Sequence, residues 1–234
     1  MTEAEWPTSA DPVRLLAHLN RLPGDRKLLL YAVACCRAHR PLLTHSASRE
    51  AVDWAEQFAD GEAVRDEDYS RLEYVSEGAA FHIEAMEQSG RFAEWFEEDD
   101  WRSTSLRRLR GAVRTNTTRR THAAYFANAL LTFETSSPFD PTLSSYRSLL
   151  LTAPLRDIFG NPFRPVAFAP ERRSDTAVAI AQQMYESRDF SAMPILADAL
   201  QDAGCDSADV LDHCRQPGEH VRGCWAVDLV LGRA

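Results

Sequence analysis

Long hydrophobic runs are missing from this 234-residue chain: the longest, Leu28 to Cys36, falls far short of the about 20 residues a membrane helix needs. The opening residues, MTEAEWPTSADP, are acidic and have neither a basic stretch nor an apolar core, so they do not read as a secretory signal. Spaced cysteine patterns are missing too. The five cysteines are an odd number, and Cys35 and Cys36 are adjacent. That does not suit a disulfide framework and points to a reducing cytoplasm. No Cys-x2-Cys, His-x3-His or His-Glu-x-x-His occurs, nor a phosphate-binding glycine loop or a dinucleotide fingerprint. A surplus of positive charge is also lacking. The formal net charge of −9 argues against a dedicated nucleic-acid binder and against docking on anionic membrane.

What the chain has in quantity is helical pattern, with enough apolar residues (44%) to fill a core. Thr2 and Glu5 have the spacing of a capping box, and Asp11-Pro12 puts a cap ahead of a first-turn proline. Val13, Leu15, Leu16, Leu19 and Leu22 then form a stripe that stops at Pro23-Gly24. The segment RKLLLYAVACCRAHR, capped by Asp25 and ended by Pro41, is apolar nearly all round, which predicts a central, buried helix. Further helices are predicted from Ser46 or Ser48 to Gly61, over 66–89, and within 91–134. Ser136 to Pro141 reads as a connector and 143–151 as a short helix.

LRDIFGNPFRPVAFAP, with three prolines, predicts a Pro-rich structured loop at about 160–170, pinned by Phe159, Phe163 and Phe168. Helices over about 175–187, 192–203, 206–215 and 220–231 complete the chain. Sustained apolar alternation of the strand type is absent. The predicted fold class is all-α: a multi-helix bundle forming a single helical domain over 1–234, with a subdivision into 1–135 and 142–234 as the alternative.

Four segments carry a resemblance: MTEAEW, RKLLLYAVACCR, LRDIFGNPFRPV and the ending MPILADALQDAGCDSADVLDHCRQPGEHVRGCWAVDLVLG. Together they resemble a paralogous protein family of planctomycete-type bacteria. The resemblance covers the two ends and not the middle, and it brings no activity, substrate or cofactor. It implies that the two ends form a shared scaffold while the middle varies. LADALQDAGC is also similar to the L-A-D-W-L-E-E-x-G helix of a short bacterial repeat-companion domain.

The ending concentrates three cysteines and two histidines in DAGCDSADVLDHCRQPGEHVRGCW. Cys205, Cys214, His220 and Cys224 are the right ligand types for tetrahedral zinc, with His220 and Cys224 four apart on an expected helical turn. Against this, the spacing lacks a tight chelate pair, and Cys214 and Cys224 fall on apolar stripes where cysteine packs as a small hydrophobe. Core cysteine outweighs metal ligand. A thiol enzyme would use Cys224 beside His220, or Cys214, but no orienting third group can be named for either. Cys35 and Cys36 suit a buried helix better than a redox pair.

The middle is segregated by charge. EWFEEDDW places Trp95, Phe96 and Trp101 among acids, and Arg107, Arg110 and Arg114 fall on one helical face of a basic stretch. The aromatics suit a protein partner and the arginines a phosphate strip or the neighbouring acids. In GNPFRPV, Arg164 is a candidate anion anchor, set against the plainer reading of a rigid connector.

Taken together, the sequence predicts a non-catalytic, cytoplasmic helical module that binds a protein partner, without cofactor, membrane or nucleic acid. A zinc-stabilised regulatory protein touching nucleic acid through its arginine strip is the second reading, and a thiol enzyme the third.

Overall fold

Asp11 opens the first helix: its Oδ1 accepts from the Val13 amide at 3.0 Å, and Pro12 starts the helix where no amide donor is needed. The computed structural model describes residues 1–19, 25–61, 66–89, 119–131 and 147–233. All regular structure among these residues is helical, so the fold class is all-α. None of the described helices is long and apolar enough to cross a membrane.

The chain folds as two compact units. One combines Met1–Ala34 with Leu151–Ala234, and the other is Cys35–Leu150. The expected division into 1–135 and 142–234 is therefore not the one the contacts make. The first and last parts of the chain share a core, which no reading of local composition shows. The segments that carry the family resemblance lie almost entirely in this shared unit.

In the unit of the two ends, the Asp25–Ala38 helix contributes Leu29 to Ala34, every one of them buried. A helix apolar all round has to be enclosed on all sides, as the sequence predicts. Helices Asp175–Ser187, Met193–Asp202, Ala208–Arg215 and Trp225–Leu231 build one core from Ala181, Met184, Leu196, Leu200, Val210 and Val227. Arg26 ties the N-terminal part in. Its guanidinium meets Asp228 at 2.6 and 3.3 Å and donates to the Tyr185 hydroxyl at 2.7 Å.

Residues 155–159 depart from expectation. The sequence places them in the Pro-rich loop and puts a helix at 143–151. Instead 147–149 form a turn, and the helix runs Thr152–Phe159. Pro154 does not prevent it because it sits in the first turn, where its missing amide breaks no helical bond. Gly160, at φ +63°, ends the helix against Trp225, whose ring would lie 3.1 Å from any added Cβ. The loop beyond it, 160–169, has no regular structure, and Phe163 stacks on His18 with ring centroids 4.8 Å apart.

The middle unit is built by the helices Ser46–Ala59 and Asp66–Ser89 and a helical stretch over 119–129. His45, rather than Ser46 or Ser48, is the cap: its Nδ1 accepts from the Ala47 amide at 3.1 Å. Arg37 bridges Asp53 and the buried Glu56 at 2.8 and 2.9 Å.

Candidate functional site

Asp157 occupies the inward face of the Thr152–Phe159 helix together with Pro154, Leu155 and Ile158. An acid placed there has to be hydrogen-bonded to be tolerated. Its Oδ2 accepts from the Val221 amide at 2.8 Å, and its Oδ1 lies 2.6 Å from His220 Nδ1 and 3.3 Å from His213 Nε2. His213 comes from the Ala208–Arg215 helix, His220 from the connection that follows it. Cys224 is the residue just ahead of the Trp225–Leu231 helix. Its Sγ lies 3.2 Å from His213 Nε2 and 3.9 Å from His220 Nδ1.

These four side chains are nearly sealed from water. Asp157, His213 and His220 are 6, 11 and 7% exposed, and Cys224 is fully buried. Trp225 packs against the His213 ring at 4.9 Å between centroids, and the two imidazoles meet edge to face at 5.0 Å. Burial by itself would raise the Asp157 carboxyl. Hydrogen bonds from His213 and His220, the His220 charge and the Val221 amide together hold it below its ordinary value. The Cys224 thiol is pushed well above its ordinary value, first by burial and then by Asp157, although the Val227 and Ala226 amides pull the other way.

The arrangement differs from a nucleophile–base–acid relay. Such a relay places thiol and carboxylate on opposite nitrogens of the imidazole. Here Asp157 and Cys224 both meet Nε2 of His213. What the geometry offers is convergence: one oxygen, two nitrogens and one sulfur, all within 4.8 Å of one another.

Of the residues predicted from sequence, His220 and Cys224 are brought together, but not on a helical turn. The last helix starts at Trp225, and Gly223, at φ +91°, turns the chain so that both side chains reach the Asp157 side. Cys205 and Cys214 do not belong to the group. Gly204 ends the Met193–Asp202 helix in a left-handed turn (φ +82°), its amide donating to Gln201 and the Cys205 amide to Leu200. This paired closure packs Cys205 beside Leu200 in the core. Cys214 shares that core, where burial first, then Cys205 and Asp157, push its thiol up to about 12. None of the five cysteines is in a disulfide. Asp157 and His213 escaped the sequence reading. The one available signal was a carboxylate between Leu155 and Ile158, on the face of a stripe that ought to be apolar.

A second feature lies in the middle unit. The inward face of the Asp66–Ser89 helix carries Leu72, Ser76, Ala79, Ala80 and Ile83, all buried. A separate face carries Tyr74, Val75, Gly78, Phe81 and His82, at i, i+1, i+4, i+7 and i+8. Tyr74 is 78% and Phe81 56% exposed. With His45 and Glu77 these residues line a shallow recess. Burial, then the neighbouring His82, lower the His45 imidazole below its ordinary value. Trp95, Phe96, Trp101, Arg107, Arg110 and Arg114 lie outside the described residues. Arg164 pairs with Glu3, both side chains being well exposed. No family model matches the chain, and no curated protein or solved structure matches it.

Proposed function

We propose that this chain is a non-catalytic helical interaction module and that the Asp66–Ser89 helix presents its partner-binding face. The observation that carries the reading is the second apolar stripe, Tyr74, Val75, Gly78 and Phe81, standing in solvent at the spacing with which helices pack on helices. Among the described residues only one of the two apolar faces on this helix is enclosed, and exposed aromatic stripes mark contact sites.

The spacing selects a helical partner, and the charge selects its flanks. Glu77 lines the recess, Glu73 adjoins Tyr74, and the whole chain carries −9. A complementary helix sets its apolar residues on the stripe and lysine or arginine beside these acids.

The test uses a photo-crosslinking residue at Tyr74 or Phe81 in the full chain, with the exposed Ile195 of the other unit as the control position. Adducts are expected at 74 and 81 that map to a helix with basic flanks, lost in Tyr74→Ser/Phe81→Ser with at least a tenfold fall in affinity. Adducts to a second copy of this chain would replace the basic partner by self-association. Equal labelling at position 195, or an affinity untouched by the double substitution, would refute the proposal.

A further inference from the structure

We propose that Asp157, His213, His220 and Cys224 form a four-coordinate site for one divalent transition-metal ion of the zinc class. This goes beyond the interaction reading and rests on a different unit of the chain.

The distances come first. With metal–nitrogen and metal–oxygen bonds of about 2.0–2.2 Å and a metal–sulfur bond of about 2.3 Å, the edges of a tetrahedron are roughly 3.3–3.6 Å. His213 Nε2 lies 3.3 Å from Asp157 Oδ1 and 3.2 Å from Cys224 Sγ, and Cys224 Sγ lies 3.9 Å from His220 Nδ1. Those three edges are within a few tenths of an ångström of the tetrahedron. A fourth, 2.6 Å between His220 and Asp157, is a hydrogen-bond length and has to open by about 0.7 Å, while the remaining two edges, His213–His220 and Asp157–Cys224, lie within 4.8 Å.

Direction decides between a metal site and a plain polar network. An imidazole nitrogen has one in-plane direction, filled by one proton or one lone pair. His213 Nε2 faces both the carboxylate and the thiol, and so does His220 Nδ1. In a hydrogen-bonded network each nitrogen serves one neighbour well and leaves the other poorly met. A cation amid the four atoms would use one lone pair from each.

Charge gives the same answer. A thiolate and a carboxylate together offset a 2+ ion, so the sealed site carries no net charge and avoids the desolvation cost of an unbalanced one. On binding, the Cys224 thiol proton and the protons that His220 Nδ1 and His213 Nε2 share with Asp157 must leave these atoms, for solvent or for the other ring nitrogen, and metal–sulfur and metal–nitrogen bonds replace the S–H and N–H bonds. One thiolate, two imidazoles and one carboxylate match the borderline-soft, tetrahedral preference of zinc.

The surroundings hold the ligands in place. Val221 fixes the second Asp157 oxygen, and Gln216 Nε2 lies 3.3 Å from His213 Nδ1, so that with the amide turned over its oxygen would receive the Nδ1–H once Nε2 is bound. Four protein ligands make a closed site, the structural kind. Its ligands come from the Thr152–Phe159 helix, the Ala208–Arg215 helix and the entry to Trp225–Leu231, so the ion joins three separate stretches of the shared unit.

The experiment loads untagged full-length protein with zinc and with cobalt(II). X-ray absorption on the zinc form is expected to show one sulfur and three nitrogen or oxygen ligands at one ion per chain. The cobalt form should carry a thiolate charge-transfer band that persists in Cys205→Ser and Cys214→Ser and disappears in Cys224→Ser. Should Cys224→Ser fail to fold, the wild-type sulfur count still decides. Two or three sulfurs would hand the site to Cys205 and Cys214 and overturn this ligand set. Substoichiometric metal that leaves on gel filtration would overturn the site itself.

Discussion

Asp157 Oδ1 and His220 Nδ1 lie 2.6 Å apart although 63 residues separate them in the chain. The contact closes the C-terminal connection onto the Thr152–Phe159 helix. The same carboxylate also receives the Val221 amide, so a single side chain fixes both the backbone and the imidazole of this segment.

Asp157→Ala should therefore destabilise the protein by about 3–5 kcal/mol, because it strands a buried amide and two buried imidazoles at once. Urea unfolding of the metal-free protein measures this. A loss under about 1 kcal/mol would mean that water takes over the carboxylate's role.

Gly223 should tolerate no side chain. Its φ is +91°, and an added Cβ would sit 2.8 Å from Leu30 Cδ1. Gly223→Ala is expected to cost about 1–3 kcal/mol from backbone strain and overpacking. It should also shift the amide NMR signals of residues 220–224, since this turn is what aims His220 and Cys224.

Arg26 and Asp228 form a shielded pair at 2.6 Å, with the Asp228 side chain 2% exposed. Removing the cation alone, as in Arg26→Leu, takes the hydrogen-bonded guanidinium from a buried carboxylate and leaves it Lys27 as a more distant cation, and a loss of about 2–4 kcal/mol is predicted. Arg26→Leu combined with Asp228→Leu should recover part of it in the same denaturation series. If the double variant is no better than the single, the pair is not what the arginine supplies.

Glu5 gives the protein an acid-sensitive corner at its N-terminus. The Thr2 amide, at 2.7 Å, and then Arg14, also at 2.7 Å, lower its carboxyl to about 2. A lowered carboxyl contributes stability that is present above the ordinary value near 4.5 and is lost as pH falls toward about 2. Carbon-detected NMR titration should find the Glu5 midpoint near the lower value, and Glu5→Gln should flatten this part of the acid profile. A midpoint near 4.5 would show that these contacts do not persist in solution.

Much of the architecture was legible in the sequence. Periodicity, Asp11-Pro12, Ser174 ahead of Asp175–Ser187 and the terminating glycines place most helices, because the signals for starting and stopping a helix are local. The errors are also local in origin. Gly160, Asn161 and the three prolines that follow made the end of a helix look like part of a loop, and the four-residue spacing of His220 and Cys224 made a glycine turn look like a helix. Of the candidate zinc set weighed against core packing, only His220 and Cys224 join the group, while Cys205 and Cys214 pack in the core.

By itself, then, the sequence determines an all-helical chain, the buried Leu29–Cys36 segment and the packing role of Cys214, since each follows from spacing along one helix. The tertiary structure alone decided that Asp157 joins His213, His220 and Cys224, and that the two ends of the chain share one core. Distant side chains meet only where helices pack and turns aim them. The cost of burying a carboxylate then determines which partners must be there.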